Sequence, residues 1–270
     1  MENTSEDLNY IAQQAKTIAL QAGQLILELR QDQLIRNYKS GHELVTNADI
    51  QSDQLIRSAI RQQFPAHNIL SEELASDYSD PSIFQQPLWI IDPIDGTVNY
   101  AHDQQHVAVS IAYAEGGDVK VGVVFNPILN ECFLAIQGQP ACLNDQPIRV
   151  SQQQQLKHAL IGTGFPYDKS QIPALLPRLH QVLSHCQDIR RCGSAAMDIC
   201  YVACGRLDAY YETVKPWDFA AARLIALQAG ATAGHLDRCP NDIPPAFYGE
   251  QMIVASPGIY DELHQLLQIQ

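Results

Sequence analysis

Acidic side chains stand where strands end and helices begin, and these positions are the best placed in the sequence to do chemistry. Asp92 and Asp95 close the apolar stretch 89–91 in the segment WIIDPIDGTVNY. Carboxylates beside a buried strand lose hydration, which costs free energy unless a positive charge compensates. The other acidic residues in such positions are Asp49, Glu72, Glu73 and Asp218.

Each of these residues alone has a simpler explanation. Asp49 and Asp218 would stabilise the positive end of a helix dipole, and Glu72 and Glu73 would be solvated loop charges. The combination indicates more, because the strand ends of layered α/β folds gather ligands. Oxygen ligands suit Mg²⁺ or Mn²⁺, so the sequence predicts a magnesium site.

The turn after the strand is expected to shape that site. Pro93 and Gly96 predict a tight turn that aims Asp92, Asp95 and the backbone carbonyl of Ile94 at one point. Backbone N–H groups at Gly96 and Thr97, where a helix would begin, suit phosphate oxygens.

Composition and charge narrow the class of protein. The chain has 270 residues and a formal charge of −13, with 30 Asp plus Glu against 17 Lys plus Arg. This length fits one large domain or two coupled halves. The negative balance repels phosphate backbones, so a nucleic-acid binder is disfavoured.

The termini and the cysteines indicate a cytoplasmic protein. The start, MENTSEDLNY, is acidic where a signal peptide would be basic, and no segment is apolar for long enough to span a membrane. The seven cysteines form no CxxC pair. A zinc site of Cys192, Cys200, Cys204 and His185 is conceivable, but buried reduced thiols are the favoured interpretation.

Periodicity predicts the elements that must position the acidic residues. Helical spacing runs from Thr4 to Arg30, and Asn47 is expected to cap a second helix that ends at Phe64. Strands are then predicted at 68–71, 88–91, 106–114, 119–126 and 131–137.

The second half alternates strands and helices. Strands are predicted at 156–163, 188–191, 207–212 and 253–255. Helices are predicted at 172–186, 194–204, 217–229 and 259–267. The pattern predicts an α/β (α+β) sandwich: one domain over 1–270, with an α+β half at 1–150 that carries most of the metal ligands and an α/β half at 151–270.

The segments now quoted resemble a known family. DPIDGTVNY and PWDFAAARLIALQAGA resemble the two signatures of the inositol monophosphatases, which are lithium-sensitive, magnesium-dependent phosphatases. LVTNAD, SEE, GTGFPY and RRCGSAAMDICYVACGRLDAYYE extend the likeness, in order, over nearly the whole chain. The resemblance implies a layered αβαβα sandwich of the inositol monophosphatase/fructose-1,6-bisphosphatase type.

The resemblance also implies a site. By position, the metal ligands would be Glu72, Asp92, the Ile94 carbonyl, Asp95 and Asp218. They would hold two or three Mg²⁺ ions, with Mn²⁺ as a possible substitute. Two-metal clamping of the attacking and leaving oxygens is the chemistry that such a set supports.

The remaining implied roles concern water and substrate. Asp49, Glu72 and Thr97 would be catalytic and would orient the attacking water. Lys39 matches a lysine of a mobile loop. The implied substrate contacts are Asp95, Gly96, Thr97, Arg191, Gly193, Ser194, Ala195, Glu212 and Asp218.

Two departures from the family pattern bear on substrate preference. Ala222 stands where the second signature usually carries glycine, and GHLDRCPNDIPPAF lacks a common Gly-Gly turn. His102 and His106 follow the first signature, and packing or surface roles are favoured for both because the metal chemistry needs no imidazole.

The expected function is hydrolysis of a small phosphorylated polyol, with inositol-1-phosphate as first choice, by a homodimer. Asn99-Tyr100 and Glu212 favour the inositol branch. The alternatives are a sister phosphatase acting on histidinol phosphate, 3′-phosphoadenosine 5′-phosphate or fructose-1,6-bisphosphate. From another class comes a regulatory binding protein that retains the phosphatase fold.

Overall fold

A computed structural model describes residues 7–31, 35–39, 43–74 and 80–268. Within these residues the helices are α1 (Leu8–Gln31), α2 (Asn47–Gln63), α3 (Thr97–Ala101), α4 (Ile172–His185), α5 (Ala195–Ala203), α6 (Pro216–Gln228) and α7 (Pro257–Gln268).

The strands are short in the second half and longer around the acidic residues. They are β1 (Arg36–Lys39), β2 (Glu43–Thr46), β3 (Asn68–Ser71), β4 (Leu88–Asp95), β5 (Ala108–Glu115), β6 (Asp118–Asn126), β7 (Glu131–Ile136), β8 (Cys142–Leu143), β9 (Gln146–Pro147), β10 (Leu160–Thr163), β11 (Asp188–Arg190), β12 (Ala209–Glu212), β13 (Thr232–His235) and β14 (Met252–Ala255).

The strands form a hairpin and two larger sheets. β1 and β2 pair antiparallel, and the seven-stranded sheet has the order β3-β4-β5-β6-β7-β8-β9. In that sheet β3 and β4 are parallel and the other neighbours are antiparallel. The five-stranded sheet has the order β11-β10-β12-β14-β13, with β11, β10 and β12 parallel.

The apolar run of β4 is explained by burial on both faces of the sheet. Trp89 and Ile91 face a core that α1 and α2 complete, whereas Leu88 and Ile90 face a core shared with α5 and α6. Alternate side chains of a strand point to opposite faces, so a sheet covered on both sides needs an unbroken apolar strand.

The two sheets and their helices form five layers. α5 and α6 lie between the seven-stranded and the five-stranded sheets. The outer face of the five-stranded sheet packs against α4 and α7 through side chains such as Val182 and Leu263. The layered αβαβα sandwich expected from the sequence is therefore confirmed.

Several expected elements differ in detail. Thr46, not Asn47, caps α2, because its hydroxyl accepts from the N–H of Ala48 and its own N–H donates to the Asp49 carboxylate. The expected strand at 156–163 is a 3₁₀ turn, Leu156–His158, followed by β10. The strands β1, β2, β8, β9 and β13 were not predicted. β1 with β2, and β8 with β9, form short hairpins of two to four residues a strand, and β13 is defined by its pairing with β14.

The predicted tight turn at Pro93 is wrong. β4 continues through Asp95, and its register with β5 shifts, so that Asp92 lies opposite Ser110 and Asp95 opposite Ala108. β4 thus carries one residue more than β5 across this interval, which is a β-bulge. The chain leaves the strand at Gly96, whose φ of +91° places it in the left-handed region that favours glycine.

Candidate active site

Three carboxylates from two elements converge at the end of β4. Asp92 and Asp95 flank the bulge, and Asp218 lies in the first turn of α6, where its carboxylate accepts from the Lys215 N–H at 2.7 Å. One carboxylate oxygen from each of the three lies within 4.8 Å of the others. The structure therefore brings together side chains that are far apart in sequence.

Burial raises the pKa of each of these three carboxyls, and neighbouring negative charges add to the rise. Burial comes first for Asp92, and the negative charges of Glu72, Asp95 and Asp218 add to it. The pKa of Asp218 rises by burial and by the charges of Asp95 and Glu72. That of Asp95 rises to about 6 by burial, although hydrogen bonds from Ser194 and Ala196 oppose the rise.

Such a set fits a divalent cation. Like charges at close range destabilise their ionised forms, and a cation among them reverses the effect. The donors are hard carboxylate oxygens, which suit Mg²⁺, Mn²⁺ or Ca²⁺ better than thiophilic metals. Glu72 follows β3, the strand paired with β4, and its charge acts on both Asp92 and Asp218.

Thr97 and Asp49 form a pair beside this cluster. The Thr97 hydroxyl lies 3.0 Å from Asp49 Oδ1 and 3.0 Å from the carbonyl oxygen of Ile94. The second oxygen of Asp49 accepts from the Thr46 N–H at 2.7 Å and from the Thr46 hydroxyl at 2.6 Å. Asp49 is thus fixed from one side and faces Thr97 with the other.

The environment of Asp49 favours its protonated form more than water does. Its side chain is fully buried, and burial raises its pKa, although the hydrogen bonds from Thr46 and Thr97 oppose the rise. A carboxylate with a raised pKa is a stronger proton acceptor. Asp49 is therefore suited to take up a proton through Thr97.

The start of α5 holds Asp95 in place. Ser194 caps the helix by accepting from the Met197 N–H at 3.3 Å, and its hydroxyl donates to Asp95 Oδ2 at 2.5 Å. The N–H of Ala196 donates to the same oxygen at 2.7 Å. The segment Gly193–Ala195 was expected to contact substrate. In the structure its Ser194 hydroxyl donates its hydrogen bond to Asp95 instead.

Glu212 and Arg191 form a wall of the site beside the acidic cluster. Glu212, at the end of β12, accepts from the Tyr210 hydroxyl, and burial raises its pKa to about 7. A Cβ at Gly164 would lie 1.9 Å from a Glu212 carboxylate oxygen, so the glycine leaves room for that side chain. The Arg191 guanidinium stands 5.5 Å from the centre of the Phe165 ring.

The charges of Glu212, Arg191 and the acidic cluster act on one another. Arg191 lowers the pKa of Glu212, whereas Asp95 raises it. Glu212 in turn raises the pKa of Asp218. A carboxylate and a guanidinium therefore border the acidic cluster, and between them they could accept from or donate to substrate hydroxyls.

The structure gives the Asn99-Tyr100 pair a packing role and does not describe the side chain of Lys39. Asn99 Nδ2 donates to the carbonyls of His106 and Cys192, and the Tyr100 hydroxyl donates to the carbonyl of Ile26 at 2.7 Å. Packing therefore accounts for the Asn99-Tyr100 pair without any substrate. The side chain of Lys39 lies outside the described residues, and its backbone ends β1.

The structure does not bring Cys192, Cys200, Cys204 and His185 together as a zinc site. Cys200 is fully buried in the central core, and His185 bonds to the Gln181 carbonyl at the end of α4. Among the described residues, Cys192 instead groups with His106 and Asp198. All seven cysteines are free, but only Cys132 and Cys200 are buried, and the other five are partly exposed.

Sequence reasoning missed two features around the site. One is the Ser194–Asp95 bond: Ser194 ahead of the apolar run of α5 signals a helix cap, but it gives no signal for a partner 99 positions away. The other is the pair of His106 and Asp198, 2.9 Å apart. Residues 92 positions apart give no local signal for such a contact.

Three comparisons place the chain among known proteins. A family model described as the inositol monophosphatase family matches residues 7–269. The chain is 40% identical over 221 residues to Nus factor SuhB of Pasteurella multocida, covering 77% of this chain and 82% of that protein. It is 39% identical to inositol monophosphatase 1 of Solanum lycopersicum over 72% of each chain.

A solved structure agrees with these matches. The inositol monophosphatase from Anabaena (Nostoc) sp. PCC 7120 superposes with a TM-score of 0.81 and 33% identity, over 96% of each chain. In the part of the chain described here, no helix combines the length and apolarity that crossing a membrane requires. The match of the family model over nearly the whole chain, together with these likenesses, shows that this protein belongs to the inositol monophosphatase family.

Proposed function

We propose that this protein hydrolyses a phosphorylated polyol, with inositol-1-phosphate as the first candidate, in a reaction that depends on Mg²⁺. The observation that carries the proposal is the convergence of Asp92, Asp95 and Asp218 within 4.8 Å, next to the Thr97–Asp49 pair. Glu72 and the Ile94 carbonyl complete the proposed ligand set. Two or three Mg²⁺ ions would bind there, and Mn²⁺ could replace them.

The ions, when bound, would supply a nucleophile at neutral pH and neutralise charge on the phosphate and the leaving oxygen. The chain itself orients the water. Thr97 Oγ1 accepts a hydrogen bond from that water and donates its own proton to Asp49 Oδ1, 3.0 Å away. Glu72, together with Thr97, would place the water in line with phosphorus.

The walls of the site would hold the substrate. Backbone N–H groups at Gly96 and Thr97 would bind phosphate oxygens, and Gly193–Ala195 would lie along the ring. Glu212 would accept from a ring hydroxyl. A second phosphate at this wall would meet the Glu212 carboxylate, whose repulsion favours a monophosphate over a bisphosphate.

Initial rates with Mg²⁺ test the proposal. The panel is inositol-1-phosphate, histidinol phosphate, fructose-1,6-bisphosphate and 3′-phosphoadenosine 5′-phosphate, each with and without lithium. We expect the highest kcat/KM for inositol-1-phosphate, and inhibition by lithium. A clear preference for 3′-phosphoadenosine 5′-phosphate would reassign the substrate, and no hydrolysis of any of the four would contradict the proposal.

A regulatory role is the second candidate, and the 40% identity to Nus factor SuhB of Pasteurella multocida supports it. Asp95→Asn separates the two candidates because it removes the charge of a proposed ligand, while the amide oxygen can still accept from Ser194 and Ala196 and should keep the fold. If host cells that carry only the Asp95→Asn chain grow as parental cells do, the function does not depend on hydrolysis. The homodimer and the cytoplasmic location remain part of the proposal.

A further inference from the structure

His106, Cys192 and Asp198 form a second cluster of potential metal ligands, separate from the carboxylates of the active site. One ligand atom from each lies within 4.8 Å of the other two. His106 Nε2 lies 2.9 Å from Asp198 Oδ1, and the Cys192 thiol donates to the Asp198 carboxylate. The three residues come from the segment before β5, the segment before α5, and α5 itself.

We propose that this cluster is a metal site for a borderline divalent ion such as Zn²⁺, and that its occupancy inhibits the enzyme. The donors are an imidazole nitrogen, a thiol sulfur and a carboxylate oxygen, which together suit Zn²⁺ and related ions. The active-site cluster offers carboxylate oxygens, which suit Mg²⁺. The two clusters therefore differ in the kind of ion that they select.

The ligand atoms of this cluster are largely buried, yet an ion could reach them from solvent. Asp198 is 1% exposed, and the His106 side chain is 14% exposed. Beside them lies an open cavity of about 640 Å³, lined in part by His106, Arg191, Cys192 and Tyr201. An ion could enter from this cavity, and a water could complete a tetrahedral set from the same side.

The observed spacing needs a small adjustment. Tetrahedral zinc holds its nitrogen, oxygen and sulfur ligands about 3.3–3.6 Å apart, given its bond lengths. His106 and Asp198 would therefore separate by about half an ångström from their present 2.9 Å. Burial raises the pKa of Asp198, and the nearby positive charge of Arg191 opposes that rise. The same positive charge would repel a bound cation, so we expect weak, reversible binding.

The cluster is connected to the proposed catalytic groups through the backbone. Asn99 Nδ2 donates to the His106 carbonyl at 2.8 Å and to the Cys192 carbonyl at 2.7 Å. Asn99 lies two residues after Thr97 in α3. A Cβ at Gly96 would lie 2.9 Å from the His106 carbonyl oxygen, so the two backbones are already in close contact.

Movement at Asp198 reaches the carboxylates by a second route. Asp198 lies in the first turn of α5, and the N-cap of that helix, Ser194, donates to Asp95. An ion that moves His106 and Asp198 apart to reach tetrahedral spacing therefore displaces the supports of both Thr97 and Asp95. Inhibition follows from that displacement.

Cobalt titration tests the site without reference to activity. Co²⁺ bound to a thiolate gives a near-ultraviolet charge-transfer band, whereas Co²⁺ on carboxylates gives none. We expect the band in the parent, in Cys142→Ser and in Asp92→Asn, and its loss in Cys192→Ser and His106→Gln. No band in the parent, or a band that survives Cys192→Ser, would overturn the proposal.

Zinc inhibition tests the consequence and rests on the proposed phosphatase function. With Mg²⁺ saturating, Zn²⁺ should inhibit the parent and Cys142→Ser alike. Cys192→Ser should need about tenfold more Zn²⁺ or beyond, since even a lost second-shell partner costs about 10–100-fold in metal affinity. Equal sensitivity of Cys192→Ser and the parent refutes the inhibitory role, while the cobalt band reports on the site whether or not the enzyme assignment holds.

Discussion

Thr97 has one hydroxyl proton and two acceptors at equal distance, Asp49 Oδ1 and the Ile94 carbonyl, both at 3.0 Å. A hydroxyl donates one hydrogen bond and accepts two. A cation at the Ile94 carbonyl would occupy that oxygen, so the proton would turn to Asp49. The Thr97 lone pairs would then face the water, which is the orientation that proton transfer to Asp49 requires.

Replacing Thr97 should therefore lower the rate without removing metal. Thr97→Ala is expected to lower kcat by about 10²–10⁴-fold, the usual range for a lost proton-transfer partner. KM and the Mg²⁺ dependence should change little, because no proposed ligand atom is lost. Thr97→Ser keeps the hydroxyl and should retain much of the rate.

The pair can be separated from a structural role by a double variant. Asp49→Asn should resemble Thr97→Ala, and the double variant should lose little more than either single one, since the two residues act as a unit. Steady-state kinetics of the four proteins measure this. Additive losses, or near-parental kcat in Thr97→Ala, would contradict the proton path.

At the scale of elements, the N-terminus of α5 joins the central layer to β4. Ser194 accepts from Met197 N–H and donates to Asp95, so one side chain both begins the helix and holds a proposed metal ligand. Asp218 plays a comparable part in α6, since it accepts from the Lys215 N–H at that helix's start. Helix ends, rather than loops, therefore position much of the site.

Ser194→Ala tests this connection. Loss of an N-cap costs about 0.5–2 kcal/mol, so the free energy of unfolding should fall by about that amount. The Mg²⁺ concentration for half-maximal activity should rise, because Asp95 loses its shortest hydrogen bond. Denaturant unfolding and an Mg²⁺ titration measure the two effects.

Ser184→Ala is the matched control, because Ser184 is an exposed serine of α4 whose hydroxyl donates to the His180 carbonyl. Its unfolding free energy should stay within about 0.5 kcal/mol of the parent. If Ser194→Ala has the parental Mg²⁺ dependence, the bond to Asp95 does not position a ligand.

The periodicity of apolar residues was enough to predict helices and strands. It could not predict features that depend on contacts with other elements. The apolar spacing of α1 and the strand at 68–71 could be predicted from neighbouring residues alone. The bulge between Asp92 and Asp95 could not, because it is a register shift against β5. The convergence of Asp92, Asp95 and Asp218 was inferred from their places at element ends, and the structure brings them together.

The site residues that the sequence missed share one property. Ser194 contacts Asp95 from 99 positions away, and Asp198 contacts His106 from 92. Both contacts join α5 to the end of β4 or the segment before β5. Since the packing of α5 between the sheets creates them, they follow from the layered fold and not from any local signal.

At the scale of the whole molecule, the acidic site lies where the layers meet. Asp92 and Asp95 belong to the seven-stranded sheet, Asp218 to a helix of the central layer, and Glu212 to the five-stranded sheet. Each of these four carboxyls has a raised pKa, with burial as the largest cause. Ionising them without a cation therefore works against the packing of the layers.

The metal-free protein should lose stability as pH rises from 5 to 8. Each of these carboxyls has a higher pKa in the folded chain than in the unfolded chain. At pH values between the two pKa values, the folded chain therefore binds more protons than the unfolded chain. The stability that each carboxyl contributes is fully present below its unfolded pKa and is lost as pH rises through its folded pKa. For Glu212 the window runs from 4.5 to about 7. Its share is on the order of 3 kcal/mol at most.

Melting curves in the presence of a chelator measure this loss. Tm should fall between pH 5 and pH 8, and Glu212→Gln should reduce the fall, whereas Glu262→Gln, at an exposed position of α7, should not. Mg²⁺ should raise Tm more at pH 8 than at pH 5, because it binds the folded state through ionised carboxylates. A metal-free Tm that is flat or rising over this range would show that cations elsewhere already compensate the four carboxyls.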